Sequence, residues 1–495
     1  DLRGLLSFPK GAQTRTPKNR FAPRLGFAYS LNKKTTIRGG YGVFFLPQSL
    51  EPTTAQGVNF TTSALQSPTT GQVTASTIFL TNPFPNGLTP VTGNTLGERT
   101  QLGGTVIAVE PKRDNPYTQQ WSLVLQRQLA KNLVLDVAYV GSKGVNLPIQ
   151  QLLLNQLSPM ALVFARNNFA SPGACATTAN PNAPCATVAA FLQQPVANPF
   201  AGQLPGTALN GATVARAQLL RPYPQYQGVT SFRPHLGDSL YNALQFNLQK
   251  RFSDGLSAVV SYVWSKSLDT GGVGNGAAFL DPAATQDVYN YRRGEYSLST
   301  LDVPHRFVGS FTYELPLGRG KRFGKNMNGF LNALFGGFQI SGTATVQAGA
   351  PLLIIQNGFV EVTGLAGVGN AVRRPNRVGQ NTFDRQTFRE NARNNLPVFD
   401  TSAFVRADPF TFGNASRTSG DFRRDQYRNL DLSIIKNIGF RENKQKLQLR
   451  AEFLNATNYV VFGTPVNNID APNFGLVTTQ GNRPRIIQLV ARFTF

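Results

Sequence analysis

Residues 485–495, at the end of the chain, read R-I-I-Q-L-V-A-R-F-T-F. In an extended strand, successive side chains point to opposite faces. Ile487, Leu489, Ala491, Phe493 and Phe495 therefore share one face, and Gln488, Val490, Arg492 and Thr494 share the other. One face is apolar to the final residue. A soluble domain seldom ends this way, whereas a strand of roughly 9 to 11 residues is what crosses a bilayer at a tilt. The stretch predicts a membrane-spanning strand.

Composition agrees. The 495 residues are 41% hydrophobic, with 36 Phe and 14 Tyr but only two each of Met, Trp and Cys. No run approaches the roughly 18 apolar residues that a spanning helix needs, so any crossing is made by strands. The sequence opens at Asp1 without a basic n-region or an apolar h-region, as a processed chain or a fragment would. Net charge is +23, from 48 Lys+Arg against 25 Asp+Glu. These basic residues are scattered over loops, among them Arg373, Arg374, Arg377, Arg417, Arg423 and Arg424, and are not condensed on one helix. That spread argues against a nucleic-acid partner and suits an anionic surface such as lipopolysaccharide.

Further back, the alternation repeats. Strands are predicted over residues 21–30 and 35–45, the second placing Ile37, Gly39, Tyr41, Val43 and Phe45 on one face. Residues 119–128 and 133–141 form a hairpin in which Trp121, Leu123, Leu125, Leu133, Leu135, Val137 and Tyr139 are the apolar set. In the next hairpin, Leu244, Phe246 and Leu248 alternate with Gln245, Asn247 and Gln249. An S-D-G turn follows at 253–255, and Leu256, Ala258, Val260, Tyr262 and Trp264 return. An Asp-Gly turn between alternating runs is among the strongest hairpin signals a sequence carries. Strands over 306–314, 337–348, 427–437 and 445–456 complete the set, with turn residues near Arg441 and Asn443.

About eleven strands result. Their connections alternate between short turns and long inserts, and in a meander that places all elaboration at one end, the asymmetry of a barrel with short periplasmic turns and long extracellular loops. Short helices are expected inside two connections, in the run L-L-L-N-Q-L-S-P-M-A-L-V-F (152–164) and in the connector 315–336. A one-residue slip of the strand K-L-Q-L-R-A-E-F-L (446–454) would exchange Leu447, Leu449, Ala451 and Phe453 for Gln448, Arg450 and Glu452 against lipid. Arg at the bilayer midplane costs roughly 2 to 4 kcal/mol, so the apolar faces look outward. The reading is all-β: an antiparallel transmembrane β-barrel meander with a wet interior. Gln245, Asn247, Gln249, Gln448, Arg450, Glu452 and Arg492 are the lumen-facing candidates.

The order and spacing of several motifs resemble the C-terminal part of a TonB-dependent receptor of the Oar-like group. They are F-A-P-R-L-G-F-A-Y-S (21–30), I-R-G-G-Y-G-V-F-F (37–45), N-P-Y-T-Q-Q-W-S-L (115–123), A-Y-V-G-S-K-G (138–144), Y-N-A-L-Q-F-N-L-Q-K-R-F (241–252), D-V-P-H-R-F-V (302–308) and A-E-F-L-N-A-T-N (451–458). The resemblance implies a 22-stranded barrel in the outer membrane, a plug folded inside it, and transport energised through TonB. About half of those strands are here and no plug or TonB-contacting segment is, so residues 1–495 read as the C-terminal portion of such a barrel. The resemblance further implies that the terminal aromatics, Phe493 and Phe495, are read by the barrel assembly machinery. The function expected is active transport of a large or scarce substrate of unknown identity. A structural or adhesive barrel, or a passive porin, is the alternative.

Sites for other chemistry are few. Cys175 and Cys185 sit in C-A-T-T-A-N-P-N-A-P-C with no His nearby, which disfavours zinc and predicts a local disulfide in an oxidising compartment. His305, beside Asp302 and Arg306, reads as a structural hydrogen-bonding group, because His235 is the only other histidine. G-G-V-G-N-G (271–276) lacks the flanking strand and helix of a phosphate loop, and no nucleophile elbow or H-E-x-x-H occurs. Neither an enzyme nor a cofactor is expected. Segment 281–302 carries Asp and Asn oxygens of the kind calcium takes.

Overall fold

A computed structural model describes residues 20–46, 95, 97–108, 114–149, 151–232, 234–271, 285–357, 362, 373–381, 384–440 and 445–495. Eleven long strands run in sequence order through one antiparallel sheet: β1 (Arg24–Asn32), β2 (Thr35–Phe45), β3 (Tyr117–Ala130), β4 (Leu133–Pro148), β5 (His235–Ser253), β6 (Leu256–Asp269), β7 (His305–Glu314), β8 (Phe338–Gln347), β9 (Tyr427–Phe440), β10 (Gln445–Leu454) and β11 (Ile486–Thr494). A two-residue strand, Ser297–Leu298, pairs with β6 at the side. The sheet is a meander, and β1 and β11 are its edges.

Register carries one apolar face across the whole sheet. Phe493 opposes Leu447, Leu447 opposes Ile438, and further along Ile434 opposes Ile340, Ile340 opposes Tyr313 and Tyr313 opposes Leu256. Phe246 opposes both Tyr262 and Val137; Leu125 opposes Val137 on one side and Ile37 on the other; Ile37 opposes Tyr29. Because side chains alternate with period two, this phasing fixes the polar set too. None of these apolar residues is packed in a sealed interior. Leu25 is 73% exposed, Trp264 56%, Leu449 42% and Leu489 78%. An apolar band this extensive is the mark of a surface covered by something other than water.

Local geometry follows from particular residues. Asp254 and Gly255 both take positive φ, the requirement of the tight hairpin turn that joins β5 to β6. Gly39 and Gly141 leave room for the rings of their cross-strand partners, Phe27 and Trp121, which lie where a Cβ would be. Strand bounds differ from the sequence reading mainly at one end. β5 begins at His235 and β6 runs to Asp269, beyond the apolar alternation. These extensions carry polar residues and lie on the side of the long inserts.

At the opposite end the turns are short, with one exception. Lys33–Lys34, Lys131–Asn132 and Asp254–Gly255 each connect two strands directly, whereas residues 315–337 form an excursion with its own helix. The turn holding Arg441 and Asn443 lies outside the described residues. Among the described residues, the buried apolar clusters are in the long inserts. One gathers Leu153, Leu157, Ala165, Cys185, Phe191 and Leu192, and another Leu352, Phe388, Phe399, Phe404 and Phe422.

Candidate functional site: the concave polar face and the cap above it

The polar face is concave. Gln249, Ser257, Ser310, Thr312, Ser341, Thr343, Asp431, Ser433 and Glu452, drawn from six adjacent strands, line one open depression of about 640 Å³. Its polar groups are mostly Ser and Thr hydroxyls, beside Asp431 and Glu452. Gln245, Asn247 and Gln249 stand in a row on β5, where Asn247 opposes Asp136 of β4 and Ser261 of β6. On β10, the Arg450 guanidinium donates to Glu452 at 3.1 Å and to Gln448 at 3.3 Å, and Gln448 donates to Asn437 at 3.0 Å. Arg492 on β11 lies opposite Gln448. The seven residues share a face, but β6 to β9 separate the β5 row from the β10 and β11 group.

Asp431 is part of this wall and escaped the sequence reading. It accepts from Asn429 Nδ2 at 2.9 Å and from the Asn455 backbone N–H at 2.8 Å. The signal was present in L-D-L-S-I-I, where Asp431 falls in phase with Ser433.

Over one end of the wall the long inserts fold into a cap. Helix α1 (Pro159–Asn168) starts at Ser158, whose side chain accepts from the Ala161 N–H, with Pro159 at the first helical position. The expected helix in 152–164 therefore begins seven residues late, since Gln151–Leu153 pairs as a short strand. Helix α2 (Val188–Gln193) packs beside α1, and the Cys175–Cys185 disulfide closes the loop between them. Arg216 stacks 4.0 Å over the Phe191 ring. Arg221 donates to the Asn155 and Val362 carbonyls, and burial pushes its guanidinium down to about 10.

The loop arginines are a correction. Arg374 and Arg417 are buried, and Arg423 is half-buried; they pair with Glu295, Asp269 and Asp302 respectively. Arg373 is buried as well and donates to the Ala407 and Asp408 carbonyls at 2.8 Å. Arg377 pairs with Asp421. These side chains are spent inside the cap, and of the six only Arg424 is openly exposed. A buried, paired guanidinium has no reach to an outer anionic surface. Sequence could not show this, because each partner lies far along the chain, 148 positions for Arg417 and Asp269.

The same holds for the acidic loop. Asp302 binds Arg423 and accepts from the Ser267 N–H at 2.7 Å, and Asp287 accepts from Gln156 at 2.6 Å. Asp281 lies outside the described residues, as do residues 272–276 of the glycine-rich stretch. Among the described residues no group of three or more His, Cys, Asp or Glu is arranged to hold a metal ion. His305 hydrogen-bonds the Tyr262 hydroxyl at 2.9 Å.

In the motif A-E-F-L-N-A-T-N, Asn455 carries the structural role. Its carboxamide donates to the Tyr459 and Arg483 carbonyls at 3.0 and 3.1 Å and accepts from the Tyr459 N–H at 2.9 Å. It thereby ties the two legs of the last insert together above β10 and β11.

Residues 7–488 match the family model described as outer membrane beta barrel domain. The chain belongs to this outer-membrane β-barrel family. No curated protein matches it in sequence. Among solved structures, this barrel domain is similar to the outer membrane transporter YddB from Escherichia coli, at 9% identity and a TM-score of 0.40, covering 94% of this chain and 39% of that one. It is also similar to the pyoverdine outer membrane receptor FpvA from Pseudomonas aeruginosa PAO1 (10%, 0.40, 96% and 36%) and to the ferric-catecholate import receptor Fiu from Escherichia coli K12 (11%, 0.36, 94% and 34%). The barrel domain thus spans well under half the length of these chains. Its location is the outer membrane.

Proposed function

We propose that the chain forms the C-terminal part of the barrel of a TonB-dependent receptor, which actively transports a large or scarce substrate through the outer membrane. The observation that carries this reading is the direction of the two edges. Both β1 and β11 run from the insert end to the turn end, since each is followed or closed at the turn side. A second copy with its cap on the same side of the membrane could join these edges only through parallel pairs. Lipid leaves no edge unpaired, and closing these two edges with antiparallel pairs alone needs an odd number of further strands, which the same protein would supply. The eleven strands here plus an odd complement give an even barrel, as single-chain bacterial barrels have. In that barrel the polar face becomes the lumen. Gln245, Asn247, Gln249, Gln448, Arg450, Glu452 and Arg492 then line the substrate path or contact a plug. The loop cap is the outer mouth, where ligand is captured.

The full-length protein reconstituted in a planar bilayer tests this. A plugged receptor conducts no steady current and is retained by the isolated periplasmic domain of TonB. A stable open channel without TonB retention would instead identify a porin.

Phe493 and Phe495 stack with ring centroids 6.3 Å apart at the exposed end of β11. That supports their reading as the assembly signal. Deleting Phe495 should leave the protein uninserted in the outer membrane, and unchanged insertion would refute the assignment.

A further inference from the structure

We propose that the connector 315–337 is a lipid anchor: its helix α3 (Gly329–Phe335) and the basic loop before it dock on anionic phospholipid headgroups of the periplasmic leaflet. This rests on the reading above, in which the apolar face of the sheet meets lipid and the loop cap is the outer mouth, which leaves the short-turn end in the periplasm.

Four observations converge. First, α3 presents an apolar stripe to the outside. Phe330 is 76% exposed and Leu334 53%, and Leu331 and Phe335, also exposed, complete it at helical spacing. Opposite the stripe, Asn332 accepts from the Arg319 N–H at 2.7 Å, which folds the basic loop back beside the helix. Second, α3 is held to the outer face of the wall. Lys436 lies in phase with Leu432, Ile434 and Ile438 on β9, and would be a costly charge on a lipid-facing stripe. Its ammonium instead donates to the Leu334 and Gly336 carbonyls at the end of α3 and sits 4.3 Å over the Phe338 ring. The C-terminal end of α3 thereby meets the apolar face of the wall beside Phe338 of β8.

Third, the charge is complementary. Arg319, Lys321, Arg322 and Lys325 are all exposed on this one connector. Lys321 pairs with Glu314, while Arg319, Arg322 and Lys325 have no ion pair among the described residues. Fourth, the nearest described turn at this end, Asp254–Gly255 between β5 and β6, is a tight two-residue link, so an excursion of this length is not needed to join β7 to β8. An exposed helix with apolar residues on one side and basic residues at hand is the composition of a segment that lies in the interface plane. Basic residues near an anionic membrane surface add attraction that salt weakens.

The test uses the full-length protein refolded into vesicles of phosphatidylcholine, or of phosphatidylcholine and phosphatidylglycerol in equal parts. A polarity-sensitive fluorophore is placed on Phe330→Cys, and separately on Leu334→Cys in case the first variant folds poorly. Controls are Lys131→Cys at a turn of the same rim and Phe246→Cys on the apolar band. Nitroxide lipids should quench the α3 probes several-fold more than the Lys131 probe. Replacing Arg319, Arg322 and Lys325 together by Gln should reduce that quenching in the mixed vesicles and leave it unchanged in phosphatidylcholine alone. The inference is overturned if the α3 probes report water while the Phe246 probe is quenched by lipid. It is overturned equally if the α3 probes are shielded from aqueous quencher without lipid quenching, since a protein then covers them, or if the triple substitution has no effect. Should the Phe246 probe also report water, the membrane reading itself fails.

Discussion

Arg374 grips Glu295 through two parallel hydrogen bonds, Nη1 to Oε2 at 2.9 Å and Nη2 to Oε1 at 3.2 Å, with both side chains buried. Glu295 also accepts from the Gln286 N–H, so the pair joins the third and fourth long inserts. Breaking a buried pair by removing one partner costs about 3 to 5 kcal/mol, because the remaining charge is stranded. Glu295→Ala should therefore raise hydrogen exchange across residues 285–300 and 373–423 while the strands stay protected. Unchanged exchange in the inserts would contradict the clamp.

Asn455 satisfies three backbone groups with one buried carboxamide. Each buried polar group left unpartnered costs about 1 to 3 kcal/mol. Asn455→Ala should lower the thermal midpoint of the barrel and loosen residues 456–485, as seen by limited proteolysis. Asn455→Asp, which sets a carboxylate oxygen against the Tyr459 and Arg483 carbonyls, should destabilise at least as much as Asn455→Ala.

The sheet was legible in the sequence and the cap was not. Leu447, Leu449, Ala451 and Phe453 declare their face by period two, and the Asp254–Gly255 turn fixes the register of β5 against β6. The residues of the polar face follow the same alternation, Gln245 with Asn247 and Gln448 with Arg450. Arg417 carries no such signal. It is buried by contacts with Asp269 and Glu295, which are distant in sequence and obey no periodicity. Nor did the alternation show that Lys436, in a lipid-facing phase, spends its charge on the end of a helix.

Tyr291 is buried in the cap and donates to the Thr270 hydroxyl at 3.1 Å. Burial pushes its phenol up to about 12, and the Thr270 bond offsets only part of that. The folded state therefore holds the proton more tightly than the unfolded state, whose tyrosines titrate near about 10. The stabilisation is complete below that value and is lost as pH rises from about 10 through about 12. The difference in phenolate absorbance between the parent and Tyr291→Phe should titrate near the upper value. A difference centred near the lower one would show an exposed ring.

The Cys175–Cys185 disulfide closes a short loop against the cluster around Phe191 and Leu192. Such a crosslink contributes about 2 to 4 kcal/mol, chiefly to the unit it closes. Replacing both cysteines by Ser should open the segment between α1 and α2 to protease and leave the heat-resistant barrel band on a gel unchanged. Loss of the barrel band would show that the cap supports the wall.

The central claim is that lipid covers one face of the sheet and water the other. Single cysteines along residues 446–453, in the full-length protein folded into vesicles, test it most directly. Sites 447, 449, 451 and 453 should be quenched by nitroxide lipid and be unreactive to a water-soluble thiol reagent, and sites 446, 448, 450 and 452 should show the reverse. Equal reactivity along the strand, or lipid quenching at Arg450 and Glu452, would contradict the account.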